Sequence, residues 1–390
     1  MIKLIDTEMW REDLKLINEF IHTNPKQLSQ GEVVKEFENT FARTFGIKYA
    51  VYVNSGSSAN LLMAYAAIEE GLVKTRTAIV PALSWSTTVS PWMQFGFKVV
   101  LCDSNQKNLG MDCTHLQRLC EENPGAVVMP VHVLGMPADI VEIRDIANRN
   151  ECLLLEDCCE AMGSMAAGKY LGSFGAMATY SCFTGHQLST IEGGVVVTDN
   201  DKLYIMLKLL RSHGWNRDVP GVPEYEAVDT FQDRFNFYVP GYNLRGQEIN
   251  AWLGINRLAR FRQESEYRER LFMAYNERMQ NKYWKPVASG FVSAMAYPVI
   301  HRDREKIVAD LVMNDIETRP LIAGSMEYQP MFVKRYGFKV NCQFAEQVHK
   351  YGFYVPIHCA MGVDDSDSIS DIINKYYIED VVNEHPKNAD

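Results

Sequence analysis

The fold of this chain is constrained most by a regular alternation of short β-rich runs with helical patterns between about residues 30 and 215. Such an alternation is typical of a mostly parallel sheet covered by helices. The predicted strands are residues 50–53, 77–81, 98–103, 126–133, 152–157, 176–182 and 195–198. The predicted helices are residues 58–70, 114–122, 140–149 and 202–211. Ligands of such sheets bind beyond the carboxyl ends of the strands, so we expect functional residues directly after strands.

The rest of the chain predicts a long loop and a second, smaller unit. Residues 216–242 lose the alternation and contain three prolines, which indicates a long excursion over the surface or at an interface. A helical pattern then runs from Glu248 to about Lys282 and leads into a smaller unit with alternating helix and strand signals. We therefore predict a large domain over residues 1–247, and a long linking helix with a small α+β domain over residues 248–390.

Composition and charge exclude several classes of function. The chain has 49 acidic and 39 basic residues and a net charge of −10, which makes nucleic acid and anionic membranes poor partners. It contains no apolar signal core and no apolar run of about 18 residues, so neither secretion nor a membrane span is predicted. Its nine cysteines lie partly in apolar runs and lack C-x-x-C spacing. Reduced thiols, no metal site and a cytoplasmic location are expected.

Two polar motifs follow predicted strands. The first is the sequence NSGSSAN at residues 54–60, where glycine allows a tight turn and a helix start can hold a phosphate. An ordinary capped turn would produce this motif equally well. The second is the sequence LLLEDCCE at residues 153–160, in which Asp157 ends an apolar strand. A buried acid there needs a cation or several donors, and a structural salt bridge is the simpler alternative.

The third motif is the sequence TYSCFTGHQLSTIEGGV at residues 179–195, a glycine-flanked loop between two apolar strands. His186 therefore projects from a turn at the mouth of the sheet. Imidazole titrates near neutrality and can move protons, but a single histidine is more often a structural group. None of the three motifs identifies a function by itself.

Taken together, in this order and spacing, the motifs resemble the sugar-nucleotide aminotransferase family of pyridoxal-phosphate enzymes. In that family the third motif reads Ser-Phe-x-x-x-Lys-x-x-x-x-x-Glu-Gly-Gly, and the lysine bonds the cofactor. Here Ser181 and residues 192–194 match, whereas His186 takes the place of the lysine. The resemblance extends from about residue 31 to residue 320. It implies an α/β fold of the aspartate-aminotransferase type (fold type I), with a mostly parallel mixed sheet and a smaller α+β C-terminal domain.

The histidine implies a reaction other than ordinary transamination, because imidazole cannot form an imine with an aldehyde. By resemblance, the cofactor would be pyridoxamine or pyridoxal 5′-phosphate, held noncovalently. The reaction would remove the C3 hydroxyl of a nucleotide-linked 4-keto-6-deoxyhexose, with GDP-4-keto-6-deoxymannose the expected substrate and L-glutamate restoring the aminated cofactor. A nucleotide-4-ketohexose aminotransferase and a non-catalytic protein of the same fold are the alternatives.

The resemblance also implies roles for individual residues around the cofactor ring. His186 would be the catalytic base. Asp157 would pair with the pyridinium nitrogen, and Glu160 would lie near the phenolic oxygen. Trp85 would stack on the ring, unless it is a core tryptophan.

Further residues would hold the phosphate and the substrate. The expected phosphate contacts are Gly56, Ser57, Ser181 and Asn243. Asn243 would come from a neighbouring subunit, so a homodimer with shared active sites is expected. The candidate substrate contacts are His213, Arg217, Arg245 and Arg319, although each arginine could equally be a surface or interface charge.

Three positions depart from the expected pattern. Cys182 stands where the family motif has phenylalanine. Gln187 and Cys158 stand where the family's 3-dehydratase has a second histidine and a polar residue. These differences leave the base in place and leave the identity of the sugar open.

Overall fold

A computed structural model describes residues 2–6, 9–219, 222, 225, 231, 235–280 and 284–376. Its first nine strands are β1 (Tyr49–Val53), β2 (Thr77–Pro81), β3 (Lys98–Cys102), β4 (Val127–Val128), β5 (Leu153–Asp157), β6 (Met165–Ala166), β7 (Lys169–Tyr170), β8 (Met177–Ser181) and β9 (Gly194–Thr198). Seven of them form one sheet in the order β1-β9-β8-β5-β4-β2-β3. Strand β9 runs antiparallel to β1 and β8, and the other neighbouring pairs are parallel. The predicted mostly parallel sheet is therefore confirmed.

Helices cover both faces of this sheet. The helices before residue 247 are α1 (Met9–His22), α2 (Glu32–Phe45), α3 (Gly56–Glu69), α4 (Ser86–Gln94), α5 (Cys113–Glu122), α6 (Ile140–Arg149) and α7 (Asp201–Arg211), and all but α1 contribute to the clusters that cover the sheet. One buried cluster joins α3, α4 and α7 to the sheet, and a second joins α2, α5 and α6 to the opposite face. Helix α3 is buried along most of its length because its apolar and alanine side chains surround it.

A buried ion pair and a capping carboxylate attach α2 to the rest of the chain. Glu38 accepts hydrogen bonds from the Arg211 guanidinium and from the Tyr52 amide. Both side chains of this pair are buried, so removing either would leave an uncompensated charge. Glu248 accepts from the amides of Gly31 and Val34, which satisfies free donors at the start of α2.

The C-terminal part contains a three-stranded antiparallel sheet in the order β10-β12-β11. Its strands are β10 (Ala296–Ile300), β11 (Arg319–Pro320) and β12 (Gly352–Pro356). The helices after residue 247 are α8 (Glu248–Leu258), α9 (Phe261–Arg278), α10 (Arg304–Met313), α11 (Pro330–Tyr336), α12 (Gln343–Tyr351) and α13 (Val363–Asn374). The domain boundary at residue 247 stays a prediction.

Two of the predicted elements are wrong. The long linking helix is in fact two helices, because Arg260 leaves the helical conformation (φ −116°, ψ 0°) and its side chain binds Glu12. The strand predicted at residues 126–133 is regular only at Val127–Val128, with one isolated parallel bridge from Val131 to Asp157. A 3-10 turn follows, in which Leu134 has a φ of 52°. Helix α4 was not predicted.

Some predictions concern residues that the structure does not describe. Pro220 and Pro223 of the predicted excursion, and the predicted helix end at Lys282, lie outside the described residues. Within the described part, no helix is long and apolar enough to cross a membrane. All nine cysteines are free thiols, and seven of them are buried.

Candidate active site

Asp157 is the last residue of β5 and lies at the carboxyl end of the central sheet. It is buried, and its Oδ2 accepts hydrogen bonds from Asn60 Nδ2 (2.9 Å) and Thr88 Oγ1 (2.8 Å). Its Oδ1 accepts from the Cys159 amide at 3.1 Å. Among the described residues no cation pairs with this carboxylate, so neutral donors and not a salt bridge hold it. Asn60 lies in the first motif, but no sequence signal indicated that it or Thr88 would bind Asp157.

The neighbouring Glu156 points to the opposite face of the sheet from Asp157, because successive side chains of a strand alternate between the two faces. Its contacts there hold the fold together. Its carboxylate accepts from the amides of Gly172 (2.9 Å), Phe174 (2.7 Å) and Gly175 (2.8 Å). His132, Glu156 and Cys158 come close enough to bind a metal ion. The three amide bonds already satisfy the glutamate without a metal, and they fix the loop after β7.

The start of α3 and the end of β8 form a polar cradle, defined by Gly56, Ser57 and Ser181. Ser55 caps α3 by accepting from the Ser58 amide at 3.0 Å. A Cβ atom at Gly56 would lie 2.7 Å from Ser181 Cβ, so only glycine permits this approach. Ser57 Oγ donates to Thr87 Oγ1 at 3.1 Å. The structure thus brings together three predicted phosphate contacts, with free amides of a helix start between them.

His186 lies in the loop between β8 and β9. Its Nδ1 is 2.5 Å from the carbonyl oxygen of Cys159. A carbonyl can only accept, so Nδ1 carries the proton and Nε2 has an available lone pair. Burial lowers the pKa of His186, which favours the neutral ring at neutral pH. Cys159 therefore orients two groups, because its amide binds Asp157 and its carbonyl binds His186.

Glu160 lies one residue further along the same turn. Its Oε2 accepts from the Leu134 amide at 2.8 Å. Burial raises the pKa of Glu160 to about 7, and the Asp157 charge acts in the same direction. Burial and the nearby Glu160 charge raise the pKa of Tyr354 to about 12. Tyr354 comes from β12 of the small sheet, and no sequence signal pointed to it.

A small cavity adjoins the His186 ring. The other residues that line it are Leu4, Ile5, Phe183, Gly185, Met295, Ala296, Arg319 and Tyr354. Arg319, a predicted substrate contact, therefore shares a cavity with His186, and its guanidinium also binds Glu317 at 3.2 Å. The cavity joins the loop after β8, the small sheet and the start of the chain.

The first residues of the chain support the loop that carries His186. The Leu4 amide donates to Glu317 Oε2 at 3.1 Å, and Trp10 Nε1 donates to Thr184 Oγ1 at 3.2 Å. Gln187 is buried, and its amide donates to the carbonyls of Glu160 (2.5 Å) and Ser293 (2.9 Å). This glutamine thus holds the loop with two hydrogen bonds.

The other predicted contacts form a second group. Arg217 stacks on the Trp215 ring at 4.1 Å, and the His213 ring packs edge-on against Trp215. Arg245 Nε donates to Asn243 Oδ1 at 3.0 Å. Within the described part of the chain, no hydrogen bond or ring contact joins this group to His186 or Asp157.

Trp85 lies at the start of α4, after the end of β2. Its side chain is 55% exposed, so it is not a core tryptophan. An exposed indole at the carboxyl end of the sheet is available to stack on a flat ring.

Comparison with known proteins identifies the family. The model of the DegT/DnrJ/EryC1/StrS aminotransferase family matches residues 9–374. The chain belongs to this family. The resemblance noted from the motifs is therefore confirmed, as is the aminotransferase-type α/β fold.

Several members of the DegT/DnrJ/EryC1/StrS family resemble the chain over nearly its whole length. The GDP-4-keto-6-deoxy-D-mannose 3-dehydratase of Yersinia pseudotuberculosis is 33% identical over 381 residues, which cover 94% of this chain and 95% of that protein. A crystal structure of GDP-4-keto-6-deoxymannose-3-dehydratase with a histidine-to-asparagine substitution and bound GDP-perosamine has a TM-score of 0.87 and 32% identity, covering 93% of this chain and 97% of that one. Another, with a trapped PLP-glutamate geminal diamine, has a TM-score of 0.85 and 32% identity, covering 92% and 96%.

Proposed function

We propose that this protein is a pyridoxamine-phosphate-dependent 3-dehydratase of deoxysugar biosynthesis. It removes the C3 hydroxyl of a nucleotide-linked 4-keto-6-deoxyhexose, and the names of similar relatives favour GDP-4-keto-6-deoxymannose. The observation that carries the proposal is His186, which stands at the position of the family's lysine and keeps a free Nε2 near Asp157. Colitose and the lipopolysaccharide O-antigen are the expected destination of the product, and the free thiols support a cytoplasmic reaction.

The residues fit pyridoxamine 5′-phosphate. Gly56 brings the start of α3 close to Ser181, because a Cβ atom there would lie 2.7 Å from Ser181 Cβ. The cradle of Gly56, Ser57 and Ser181 therefore offers hydroxyl groups and a helix start to a phosphate. Asp157 is buried among neutral donors, so a protonated ring nitrogen would bind it strongly. Trp85 offers a face to the ring, and Glu160 offers a carboxyl group to its phenolic oxygen. A structure of a similar dehydratase holds a PLP-glutamate adduct, which supports both the cofactor and glutamate as amino donor.

The chain's own residues move the protons of the proposed reaction. When bound, the cofactor supplies an amino group for the sugar ketone and a ring that accepts electrons. His186 Nε2 accepts a proton from the cofactor's methylene carbon and then donates it to the departing C3 hydroxyl, which leaves as water. Asp157 keeps the ring nitrogen protonated. Position 186 offers no amine, so it cannot capture the aldehyde form of the cofactor and leaves it available to glutamate.

Anionic substrates need cationic partners, and four residues are proposed for this role. They are His213, Arg217, Arg245 and Arg319. Arg319 shares the cavity of His186 and so would meet the reacting end of a substrate, whereas the others lie on the excursion and the segments beside it. Guanidinium groups suit diphosphate and carboxylate alike.

We further propose a homodimer in which Asn243 of one subunit completes the phosphate site of the other. Large aromatic side chains of the excursion are exposed, including Phe231 (79%), Phe235 (46%) and Phe237 (61%). Exposed apolar groups in this density favour an interface. The main chain of the Asn243 segment is already anchored, since the Leu244 carbonyl accepts from the Asn54 amide at 3.0 Å.

Product analysis tests the proposed reaction. Purified protein would be incubated with pyridoxamine phosphate, glutamate and a panel of nucleotide 4-keto-6-deoxyhexoses, and product masses would be measured. We expect a ketosugar that has lost one oxygen, fastest with the GDP-linked substrate, and no product without glutamate after the first turnover. An amino sugar would instead identify an aminotransferase, and no turnover with any substrate would indicate a non-catalytic protein.

A further inference from the structure

The cavity beside His186 is small, and most of its wall is apolar. Its volume is about 70 Å³. Five of its nine lining residues have apolar side chains, namely Leu4, Ile5, Phe183, Met295 and Ala296. A pocket for a whole small-molecule ligand usually measures about 300–1,000 Å³. This cavity therefore has room for one substituent of a nucleotide sugar and not for the whole molecule.

The polar side chains in the wall are those of His186, Arg319 and Tyr354. His186 Nδ1 is bound to the Cys159 carbonyl, so only Nε2 is available to a reacting atom. The Arg319 guanidinium binds Glu317 at 3.2 Å. The apolar part of the wall thus lies directly beside the proposed base.

The start of the chain supplies two of the apolar residues, and main-chain hydrogen bonds hold it in place. The Ile2 amide donates to the Asp315 carbonyl at 2.7 Å, and the Glu317 amide donates to the Ile2 carbonyl at 2.9 Å. The Leu4 amide donates to the Glu317 carboxylate, and the Leu4 side chain is buried. Residues 2–5 therefore form a fixed part of the wall.

The remaining apolar residues come from two other segments. Phe183 lies in the loop that carries His186, and Met295 directly precedes β10. Ile5 packs against the same loop, because a Cβ atom at Gly185 would lie 3.5 Å from Ile5 Cγ1. Three segments distant in sequence thus combine to keep this side of His186 apolar.

The sugar of the proposed reaction carries one apolar substituent that can reach this cavity. In a 4-keto-6-deoxyhexose, the C6 methyl group is bonded to C5, and C5 is bonded to the C4 ketone carbon. The methyl group therefore stays close to the atoms on which His186 would act. A C6 hydroxyl group in the same place would lose hydrogen bonds to water and meet an apolar wall, which is unfavourable.

We propose that this cavity binds the C6 methyl group, and that Ile5 and Met295 make the protein select 6-deoxyhexoses over hexoses with a C6 hydroxyl group. The inference rests on the proposed function, since it takes the sugar of that reaction as the ligand. It adds the residues that determine which sugar is accepted.

Turnover would be compared on two GDP-linked 4-ketohexoses that differ only in the C6 hydroxyl group. We expect kcat/KM to be about 100-fold higher for the 6-deoxy sugar, because an apolar pocket rejects an added hydroxyl group to about this extent. Ile5→Ser opens the wall and offers a hydrogen-bond partner, and Met295→Gln adds an amide at similar volume. Each should lower the ratio of the two kcat/KM values at least about fivefold.

Ile2→Ser is the matched control, because it makes the same change in the same segment at a residue that does not line the cavity. It should leave the ratio unchanged even if it slows both reactions. Equal kcat/KM values for the two sugars in the unsubstituted protein would overturn the inference while the proposed dehydration stands. An unchanged ratio in both Ile5→Ser and Met295→Gln, or an equal fall in Ile2→Ser, would overturn it too.

Failure of the proposed function gives a different result, namely an amino sugar as product or no turnover. The inference is then decided by the Kd values of GDP-6-deoxymannose and GDP-mannose, which differ in the same hydroxyl group and carry no ketone. We expect the 6-deoxy sugar to bind more tightly to the unsubstituted protein and this preference to fall in Ile5→Ser. Equal Kd values would overturn the inference.

Discussion

At the scale of single residues, the site depends on how main-chain groups orient side chains. Cys159 is the central example, because its amide holds Asp157 and its carbonyl fixes the tautomer of His186. A base with its proton fixed on Nδ1 needs no reorganisation before Nε2 accepts a proton. The lowered pKa of His186 has a definite consequence, since the neutral base persists to a lower pH than for an exposed histidine. The acid limb of kcat/KM should therefore lie below the ordinary histidine value.

Substitution of His186 by lysine tests its position. In His186→Lys, an amine replaces the imidazole and can bond to the aldehyde of pyridoxal phosphate. We expect dehydration to fall by at least about 100-fold, because general base catalysis is lost, with amino sugar as the new product. Mass spectrometry after borohydride reduction would detect the covalent cofactor. His186→Asn is the control and should show neither covalent cofactor nor turnover. If His186→Lys carries no covalent cofactor after reduction, the side chain at position 186 does not face the cofactor.

Because of Glu160, we expect the free energy of unfolding of the cofactor-free protein to depend on pH. Its pKa is about 7 in the folded state and near 4.5 in the unfolded state, so the folded state binds more protons between these values. Stability therefore falls as pH rises from about 4.5 to 7. Glu160→Gln removes this loss and keeps the acceptor for Leu134. We expect the variant to gain up to about 3 kcal/mol over the unsubstituted protein at pH 8 relative to pH 4.

Urea unfolding of both proteins at pH 4 and pH 8, at equal protein concentration, measures this difference. A stability difference that does not change with pH would mean that Glu160 is ionised in the fold at neutral pH.

At the scale of elements, close packing explains the two glycines at the start of β9, Gly193 and Gly194. A Cβ atom at Gly194 would lie 2.2 Å from the Ser55 carbonyl oxygen, and one at Gly193 would lie 2.5 Å from the Tyr52 hydroxyl. Ser55 caps α3, so Gly194 allows β9 to begin close to the helix start that forms part of the polar cradle. The two glycines of the Glu-Gly-Gly motif therefore have a packing role beside the start of α3.

Gly194→Ala should consequently damage both stability and cofactor binding. We expect a loss of about 1–3 kcal/mol, because main-chain atoms must shift to accept the methyl group. The displaced Ser55 cap should also weaken phosphate binding, measured as a higher Kd for pyridoxamine phosphate. Gly185→Ala is the matched control in the same loop, since its Cβ would lie 3.5 Å from the nearest atom. Equal stability of the two variants would show that the close approach at Gly194 is not required.

We expect Trp10, near the start of the chain, to restrict the motion of the loop that carries His186. Trp10→Phe keeps an aromatic ring but removes the Nε1 donor to Thr184. Because Trp10 is 46% exposed, we expect little change in global stability but faster amide exchange at residues 183–187 and a lower kcat. Hydrogen exchange followed by mass spectrometry would measure this effect. Leu14→Ala, an exposed position of the same helix, should change neither quantity, and unchanged exchange in Trp10→Phe would rule out the support.

Helices and strands were predicted well where apolar residues recur at a regular spacing. They were predicted poorly where contacts with distant residues determine the conformation of a segment. The strand Thr77–Pro81 and the helix Ile140–Arg149 were predicted to the residue. The run after Val128 is as apolar as a strand, but a turn there presents the Leu134 amide to Glu160. Motifs likewise located Asp157 and His186, whereas Thr88 and Tyr354 join the site through contacts distant in sequence and gave no local signal.

At the scale of the whole molecule, the question is whether the two groups of predicted site residues serve one site of the same chain or the sites of two chains. His186, Asp157 and the polar cradle lie together, while Asn243, Arg245 and Arg217 lie in another group of contacts. A twofold dimer reconciles them if the second group faces the partner's cofactor, because an isologous interface places each loop opposite the other site. The alternative is that Asn243 serves the site of its own chain.

Mixing two inactive variants distinguishes these arrangements. His186→Asn removes the proposed base, and Asn243→Asp would place a negative charge against the proposed phosphate site. If sites are shared, a mixed dimer has one site with both defects and one intact site, so random mixing should restore about a quarter of the full activity. Activity would be measured after subunit exchange, with each variant alone as control. No recovery, although exchange is demonstrated by mass spectrometry, would place Asn243 in the site of its own chain, and full activity of Asn243→Asp alone would remove it from the phosphate site.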